Sequence, residues 1–199
     1  MRDIPLKCEC GQISATASDL SRKNSNRAIC HCDDCQAFAR HLGGSALDDL
    51  GGTDIIQFSP ARLTFTAGID NLKCLRLTEK GLLRWYAGCC QTPIGNTMPT
   101  PALPFVGVIH SFFDLSAEQY DDAFGPVTGH VFTKDATGDE AQIPALKKAG
   151  PADWFKLVRL LLTWKLKGDS KRHIFFDSDS GEPIVRPHVL GAGSEKVTS

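Results

Sequence analysis

The hexapeptide Cys30-His31-Cys32-Asp33-Asp34-Cys35 decides how this sequence is interpreted, because it places three thiols within six residues. The tripeptide Cys8-Glu9-Cys10 precedes it, and the pair Cys89-Cys90 follows it. Disulfide frameworks usually spread their cysteines along the chain, whereas two thiolates from one tight turn can bind the same ion. Seven of the eight cysteines lie in these three clusters, so the spacing predicts metal binding, with zinc as the metal.

Composition and charge narrow the class of protein. The chain has 199 residues, enough for one domain with a core or for one domain with an appendage. Its formal net charge of −1 predicts no general attraction to nucleic acid or to an anionic membrane. Met1–Lys7 has no apolar run behind its charges, and the stretch Val158–Trp164 is too short and too charged to cross a bilayer. We therefore expect a cytoplasmic protein, in which clustered cysteines bind metal rather than form disulfides.

Alternation of apolar and polar residues predicts a mainly β chain of the α+β class. The predicted strands are 12–17, 27–30, 72–77, 82–87, 106–110 and 174–176. Residues 72–77 and 82–87 form the clearest hairpin, with Thr78-Glu79-Lys80-Gly81 as its turn.

A short helix is predicted directly after the second cysteine of the hexapeptide. Asp33 with Gln36 three residues later has the pattern of a capping box, and Gly43-Gly44 ends the helix. Cys35 would then lie in the first turn, where the helix dipole and free N–H groups favour a thiolate.

Two further helices are predicted after residue 114. Ser116 with Gln119 predicts a capping box, and Gly150-Pro151 predicts the start of a longer helix that ends at Gly168. The apolar face of the longer helix consists of Trp154, Leu157, Val158, Leu161 and Leu162. We interpret this face as core, and its use as a homodimer interface stays open.

The number of clustered cysteines limits how the metal sites are built. A structural zinc site uses four ligands, whereas a catalytic site uses three and leaves one position open. Seven cysteines are one short of two complete sites, which favours one closed and one open site. Cys8 and Cys10 need distant ligands, and the 89–90 pair is the obvious source. The predicted ligands are Cys8, Cys10, Cys30, Cys32, Cys35, Cys89 and Cys90.

Three motifs carry a resemblance to a known family. They are Cys8-x-Cys10-Gly11, then Cys30-x-Cys32-x-x-Cys35-Gln36, then an Arg84-Trp85-Tyr86 strand leading to Cys90-Gln91-Thr92-Pro93-Ile94. Their order and spacing resemble the glutathione-dependent formaldehyde-activating family, which includes the centromere-protein-V-like proteins. The resemblance spans roughly residues 6–113. It implies a zinc-bound β-tent of small antiparallel sheets.

The domain prediction follows from the extent of this resemblance. Residues 1–113 would form the zinc-binding β domain, and residues 114–190 a C-terminal helical addition packed on it. The polar tail 191–199 is predicted to be disordered.

The resemblance also implies a function. A structural zinc would use Cys8, Cys10 and the cysteines after the hairpin. A catalytic zinc would use Cys30, Cys32 and Cys35 and leave a place for a thiol substrate. In the family's reaction, glutathione and formaldehyde combine to S-hydroxymethylglutathione. The chain would thus be a carbon–sulfur lyase with glutathione or another small thiol as partner. The alternative hypothesis is a non-catalytic, zinc-stabilised scaffold or binding protein, which needs only enough zinc to fold.

The sequence departs from the family pattern at the end of the hairpin. The family usually has C-x-x-C-G there, but Ala87 occupies the first cysteine position and Gln91 replaces the glycine. Cys89 is the candidate substitute, although two adjacent cysteines in one tetrahedron require an unusual turn.

The remaining candidate residues have structural interpretations. Cys74 lies in a predicted strand away from the clusters, which favours a buried free thiol. His31 is expected to have an orienting or solvent-facing role, and His41 is the alternative as a fourth ligand or an acid–base group. Four histidines are expected to be structural or on the surface: His110, His130, His173 and His188.

Overall fold

The computed structural model describes residues 2–139 and 141–190, which contain two sheets and three α-helices. The strands are β1 (Arg2–Lys7), β2 (Ser14–Leu20), β3 (Asn26–Cys30), β4 (Thr53–Phe58), β5 (Leu63–Ala67), β6 (Leu72–Arg76), β7 (Leu83–Ala87), β8 (Pro93–Thr97), β9 (Val106–Ile109), β10 (Gly129–Val131) and β11 (His188–Val189). The helices are α1 (Asp33–His41), α2 (Ala117–Phe124) and α3 (Pro151–Leu166). The predicted mainly β, α+β class is confirmed.

The strands pair in a simple order. The small sheet has the order β1-β2-β5, and the large sheet has the order β10-β3-β4-β9-β8-β7-β6-β11. Neighbouring strands are antiparallel except at the two edges, where β10 is parallel to β3 and β11 is parallel to β6. The predicted hairpin is confirmed as β6 and β7, in which Leu72 pairs with Ala87 and Leu75 with Arg84.

Side chains of the large sheet alternate between two cores, because successive residues of a strand point to opposite faces. Ile56 and Trp85 belong to the core shared with the small sheet. Ile55 belongs to a second core on the opposite face, where Phe38 and Ala39 of α1 pack. Arg84 precedes Trp85 in β7, so its side chain points to the face that carries α1.

The chain after residue 113 contributes to the large sheet as well as to the helices. It supplies both edge strands, β10 and β11. Arg27 of β3 forms ion pairs with Asp54 of β4 and with Asp121 of α2, which ties α2 to the sheet. The boundary at residue 113 stays a prediction, and the predicted disordered tail 191–199 lies outside the described residues.

The predicted strand at 174–176 is wrong. In this segment, Phe176 forms an isolated β-bridge with Pro183 and not a strand of either sheet. Phe175 is instead fully buried, with its ring centroid 4.7 Å from that of Trp85. The apolar run therefore fills the core without joining a sheet.

The predicted start of α2 and the predicted start and end of α3 agree with the structure, but the predicted buried face of α3 is wrong in part. Both capping-box bonds between Ser116 and Gln119 are present. In α3 the buried side chains are Leu160 and Trp164, whereas Trp154, Val158 and Leu162 are exposed. Among the helices of the described residues, none combines the length and apolar character that a membrane span requires.

Candidate metal centres and an adjoining cavity

The first group of cysteines brings together four sulfur atoms from two distant turns. The Sγ atoms of Cys8, Cys10, Cys89 and Cys90 lie within 4.8 Å of one another. The Sγ of Cys89 lies 3.4 Å from that of Cys10 and 3.8 Å from those of Cys8 and Cys90. Tetrahedral zinc with Zn–S bonds of about 2.3 Å separates its sulfur ligands by about 3.8 Å. The donor set and its spacing thus fit a metal ion of this kind, and we call these residues the four-thiol group.

Two tight turns deliver these thiols. After β1, Gly11 N–H donates to Cys8 O at 2.8 Å, and after β7, Gln91 N–H donates to Ala87 O at 2.7 Å. Gly11 and Gln91 both have a left-handed backbone, with φ of 75° and 60°. Glycine adopts this conformation without steric cost, so glycine would fit the backbone at position 91 with less strain than glutamine. Gln91 adopts the same conformation. Cys89 and Cys90 both belong to the four-thiol group, so Cys89 supplies the thiol that Ala87 lacks.

Two sulfur atoms of the four-thiol group have hydrogen-bond partners outside the group. Ile13 N–H donates to Cys8 Sγ at 3.2 Å, and Thr92 Oγ1 lies 3.1 Å from Cys90 Sγ. Because Glu9 N–H donates to Thr92 Oγ1, the hydroxyl proton of Thr92 is free to donate to Cys90. Burial opposes ionisation of Cys90, but hydrogen bonds from Thr92 and Cys10 together outweigh it and lower the pKa of Cys90 to about 6.

The second group lies where β3 runs into α1. The Sγ atoms of Cys30, Cys32 and Cys35 lie within 4.8 Å of one another, and those of Cys30 and Cys32 are 3.4 Å apart. We call these residues the three-thiol group. His41, the alternative ligand, is exposed at the end of α1 and lies outside it.

The predicted capping box at the start of α1 is wrong by one residue. Cys32 is the N-cap, and its Sγ accepts from Cys35 N–H at 3.4 Å, so a proposed ligand performs the role assigned to Asp33. Gln36 is buried and donates to the carbonyl oxygens of His31 and Asp135, so it does not close a box. The helix N-terminus still faces the thiols, which favours negative charge there.

A buried arginine lies beside the three-thiol group. Arg84 is 1% exposed, and its Nη1 lies 3.8 Å from Cys35 Sγ and 3.2 Å from Asn96 Oδ1. Its Nη2 lies 3.4 Å from Asp34 Oδ2. The pKa of Cys35 is well below its ordinary value because the thiols of Cys30 and Cys32 hydrogen-bond to it, and Arg84 adds to this shift. The sequence reasoning did not single out Arg84 as a site residue, although a cation in an apolar strand was a usable signal.

Two histidines hold the loop between the thiols. His31 is fully buried, with Nδ1 3.2 Å from Leu50 O and Nε2 2.9 Å from His130 Nδ1. A carbonyl oxygen can only accept, so Nδ1 of His31 carries a proton, and His130 donates to Nε2 when both rings are neutral. The orienting role expected for His31 fits this arrangement, whereas the solvent-facing alternative is wrong. His130 has a side-chain partner that the sequence did not reveal.

A cavity of about 500 Å³ opens beside the three-thiol group on the α1 face of the large sheet. Its volume lies within the range of small-molecule sites. All three cysteines line it, together with Arg84 from β7. The chain after residue 113 supplies another part of the wall, which includes Thr128, Phe132, Trp154 and Leu157. The four-thiol group does not line this cavity.

Comparisons with known proteins place the chain in a family. A search of curated proteins finds no match. A crystal structure of a Rhodobacter sphaeroides protein, a structural-genomics target, is similar over 62% of this chain and 97% of that one, with 16% sequence identity and a TM-score of 0.42. A likeness at that level supports no statement about function. A family profile matches residues 1–185, nearly the whole chain. The chain therefore belongs to the family described as a family of unknown function, DUF6151.

Proposed function

We propose that this protein is a zinc-dependent carbon–sulfur lyase or synthase that acts on the adduct of a thiol and a small aldehyde. The observation that carries the proposal is that Cys30, Cys32 and Cys35 line a cavity of about 500 Å³. Three protein ligands beside a cavity leave room for a fourth ligand that can exchange. The four-thiol group has a complete set of protein ligands, which supports a structural role for it.

The reaction forms or breaks one carbon–sulfur bond. In the forward direction, the thiol sulfur bonds to the aldehyde carbon, and the thiol proton moves to the carbonyl oxygen. The product is a hemithioacetal, and the reverse reaction releases thiol and aldehyde. Zinc, when bound, supplies Lewis-acid stabilisation of a thiolate or a carbonyl oxygen.

The chain's own residues supply the surroundings of that chemistry. The three cysteines would hold the metal at the N-terminus of α1. Arg84 lies beside Cys35 and offsets part of the negative charge of the thiolates. Its bonds to Asp34 and Asn96 fix the guanidinium in place. The hydrogen bond between His31 and His130 holds the peptide that links Cys30 to Cys32.

The substrate thiol implied by the family resemblance is glutathione, and the aldehyde is formaldehyde. Support from this chain comes from the three-thiol group and its cavity, which suit thiols as a class. Glutathione is accordingly one member of the set of thiols to be tested.

The second candidate is a zinc-stabilised scaffold or binding protein. The exposed apolar side chains of α3 favour it, because Phe155 is 70% and Leu166 is 89% exposed. The four-thiol group alone would supply the metal that such a protein needs to fold.

Metal content separates the two candidates. We expect about two zinc ions per chain in the wild type and about one in Cys32→Ser, because serine cannot replace a thiolate ligand. Cys74→Ala is the matched control, since Cys74 is a buried free cysteine outside both groups. The lyase proposal also requires that the wild type, and not Cys32→Ser, accelerates hemithioacetal formation measured by NMR exchange. Unchanged zinc content in Cys32→Ser would refute it and favour the scaffold.

A further inference from the structure

The charge on the cavity wall is unevenly distributed. Among the described residues that line the cavity, four are carboxylates and one is a cation. The carboxylates are Asp33, Asp34, Asp135 and Asp153, and the cation is Arg84. Zinc bound to three thiolates would add a further net negative charge, because three sulfur charges exceed the two charges of the metal. The wall therefore carries an excess of negative charge whether or not metal is bound.

Arg84, the single cation among the described lining residues, already has protein partners. Arg84 contacts Cys35, Asn96 and Asp34 and is 1% exposed. An anionic ligand would have to break these contacts to reach the guanidinium. Because a buried cation is costly to leave unpaired, Arg84 is poorly suited to bind a substrate carboxylate.

Another part of the cavity wall is apolar and exposed to solvent. Phe132 is 59% and Trp154 is 50% exposed, and both rings line the cavity with Leu157. Phe132 has φ of 56°, a left-handed conformation that is unusual for an aromatic residue, at a position that lines the cavity. Aromatic surfaces of this kind stabilise apolar groups by burial and cations through the ring faces.

The negative charge and the apolar surface of the cavity wall together indicate which thiols the cavity can bind. We propose that the substrate thiol has an apolar body and no net negative charge, so that it is uncharged or cationic. Glutathione carries two carboxylates and one ammonium group and is disfavoured by this wall. The inference rests on the proposed function and narrows its substrate class.

A matched series of thiols tests the proposal by binding rather than by turnover. The series is phenylmethanethiol, its para-aminomethyl derivative and its para-carboxylate derivative, with glutathione added. Isothermal titration calorimetry on the zinc-loaded full chain would give each Kd. We expect the cationic and uncharged thiols to bind about tenfold or more tightly than the carboxylate at low ionic strength. The difference between cation and carboxylate should shrink as salt rises from about 0.01 M to about 1 M.

A double variant, Asp33→Asn with Asp135→Asn, tests whether the wall charge causes the preference. The other two carboxylates are less suitable, because Asp34 pairs with Arg84 and Asp153 accepts from Gly150 N–H. In the variant, the preference for the cationic over the anionic thiol should fall severalfold, with phenylmethanethiol as the internal reference.

The outcomes for the two proposals differ. Equal or tighter binding of the carboxylate or of glutathione overturns the present inference and leaves the lyase proposal standing. Absence of thiol binding to protein that carries about two zinc ions overturns both. Binding that persists unchanged in Cys32→Ser also overturns both, since the thiol would then not depend on the three-thiol group.

Discussion

Replacement of Cys89 by serine tests whether adjacent cysteines complete the four-thiol group. The Sγ of Cys89 lies 3.4–3.8 Å from each of the other three sulfurs, so Cys89→Ser leaves only three thiols there. We expect zinc content to fall by about one ion per chain. At free zinc about a thousandfold above Kd, bound metal stabilises the native state by about 4 kcal/mol. For a chain of this length, that free energy corresponds to a fall in Tm of about 8–16 °C.

Metal analysis and thermal unfolding of the same preparations would measure this effect. Cys74→Ala is the control, because it removes a buried thiol from β6 without touching either group. A chelator should lower the Tm of the wild type and of the control, and it should have a smaller effect on Cys89→Ser. If Cys89→Ser kept its zinc and its Tm, Cys89 would not be a ligand, and the site would be completed without it.

Three further changes have defined outcomes. Burial lowers the pKa of His173 to about 4, so between about pH 6.5 and pH 4 the unfolded chain binds the proton and the folded chain does not. Because of His173, the free energy of unfolding of the wild type should fall by about 3 kcal/mol between neutral pH and about pH 4. Denaturant titrations at the two pH values should show a smaller fall for His173→Phe than for the exposed control His41→Phe. Leu160→Ala should lower the unfolding free energy by about 2–5 kcal/mol in urea titrations, whereas Leu162→Ala on the exposed face should change it by less than about 1 kcal/mol; equal effects would contradict the observed orientation of α3. Gln91→Gly should raise the Tm slightly, by relief of about 1 kcal/mol of left-handed strain, and a clear loss of stability would contradict this account of the turn.

The parts of the structure that the sequence predicted depend on short-range signals. The β6–β7 hairpin follows from alternation on either side of a turn, and the Ser116 cap follows from two residues three positions apart. The cysteine groups were predictable because the chain places the thiols of each turn together before any tertiary contact forms. The assignment of zinc and of the lyase activity remains a prediction.

The parts that the sequence did not predict depend on contacts between distant segments. His31 and His130 are 99 positions apart, and nothing near His130 indicates a partner. Apolar residues of α3 lie on more than one face, so periodicity could not choose Leu160 over Val158 as core. Both halves of the chain contribute walls to the cavity, and its excess of negative charge follows from the fold, which brings Asp34 and Asp135 to the same cavity.

The lengths of the outermost strands bear on how separate copies of the protein behave. β10 has three residues and β11 has two, and they cover one side of the longer strands β3 and β6. A chain ended at residue 113 would leave those backbone N–H and C=O groups unpaired, as a template to which another copy can add. On one edge this template would lie directly beside Cys30. Such a fragment should therefore aggregate through its sheet edges, whereas in the full chain the two very short strands act as terminators of those edges.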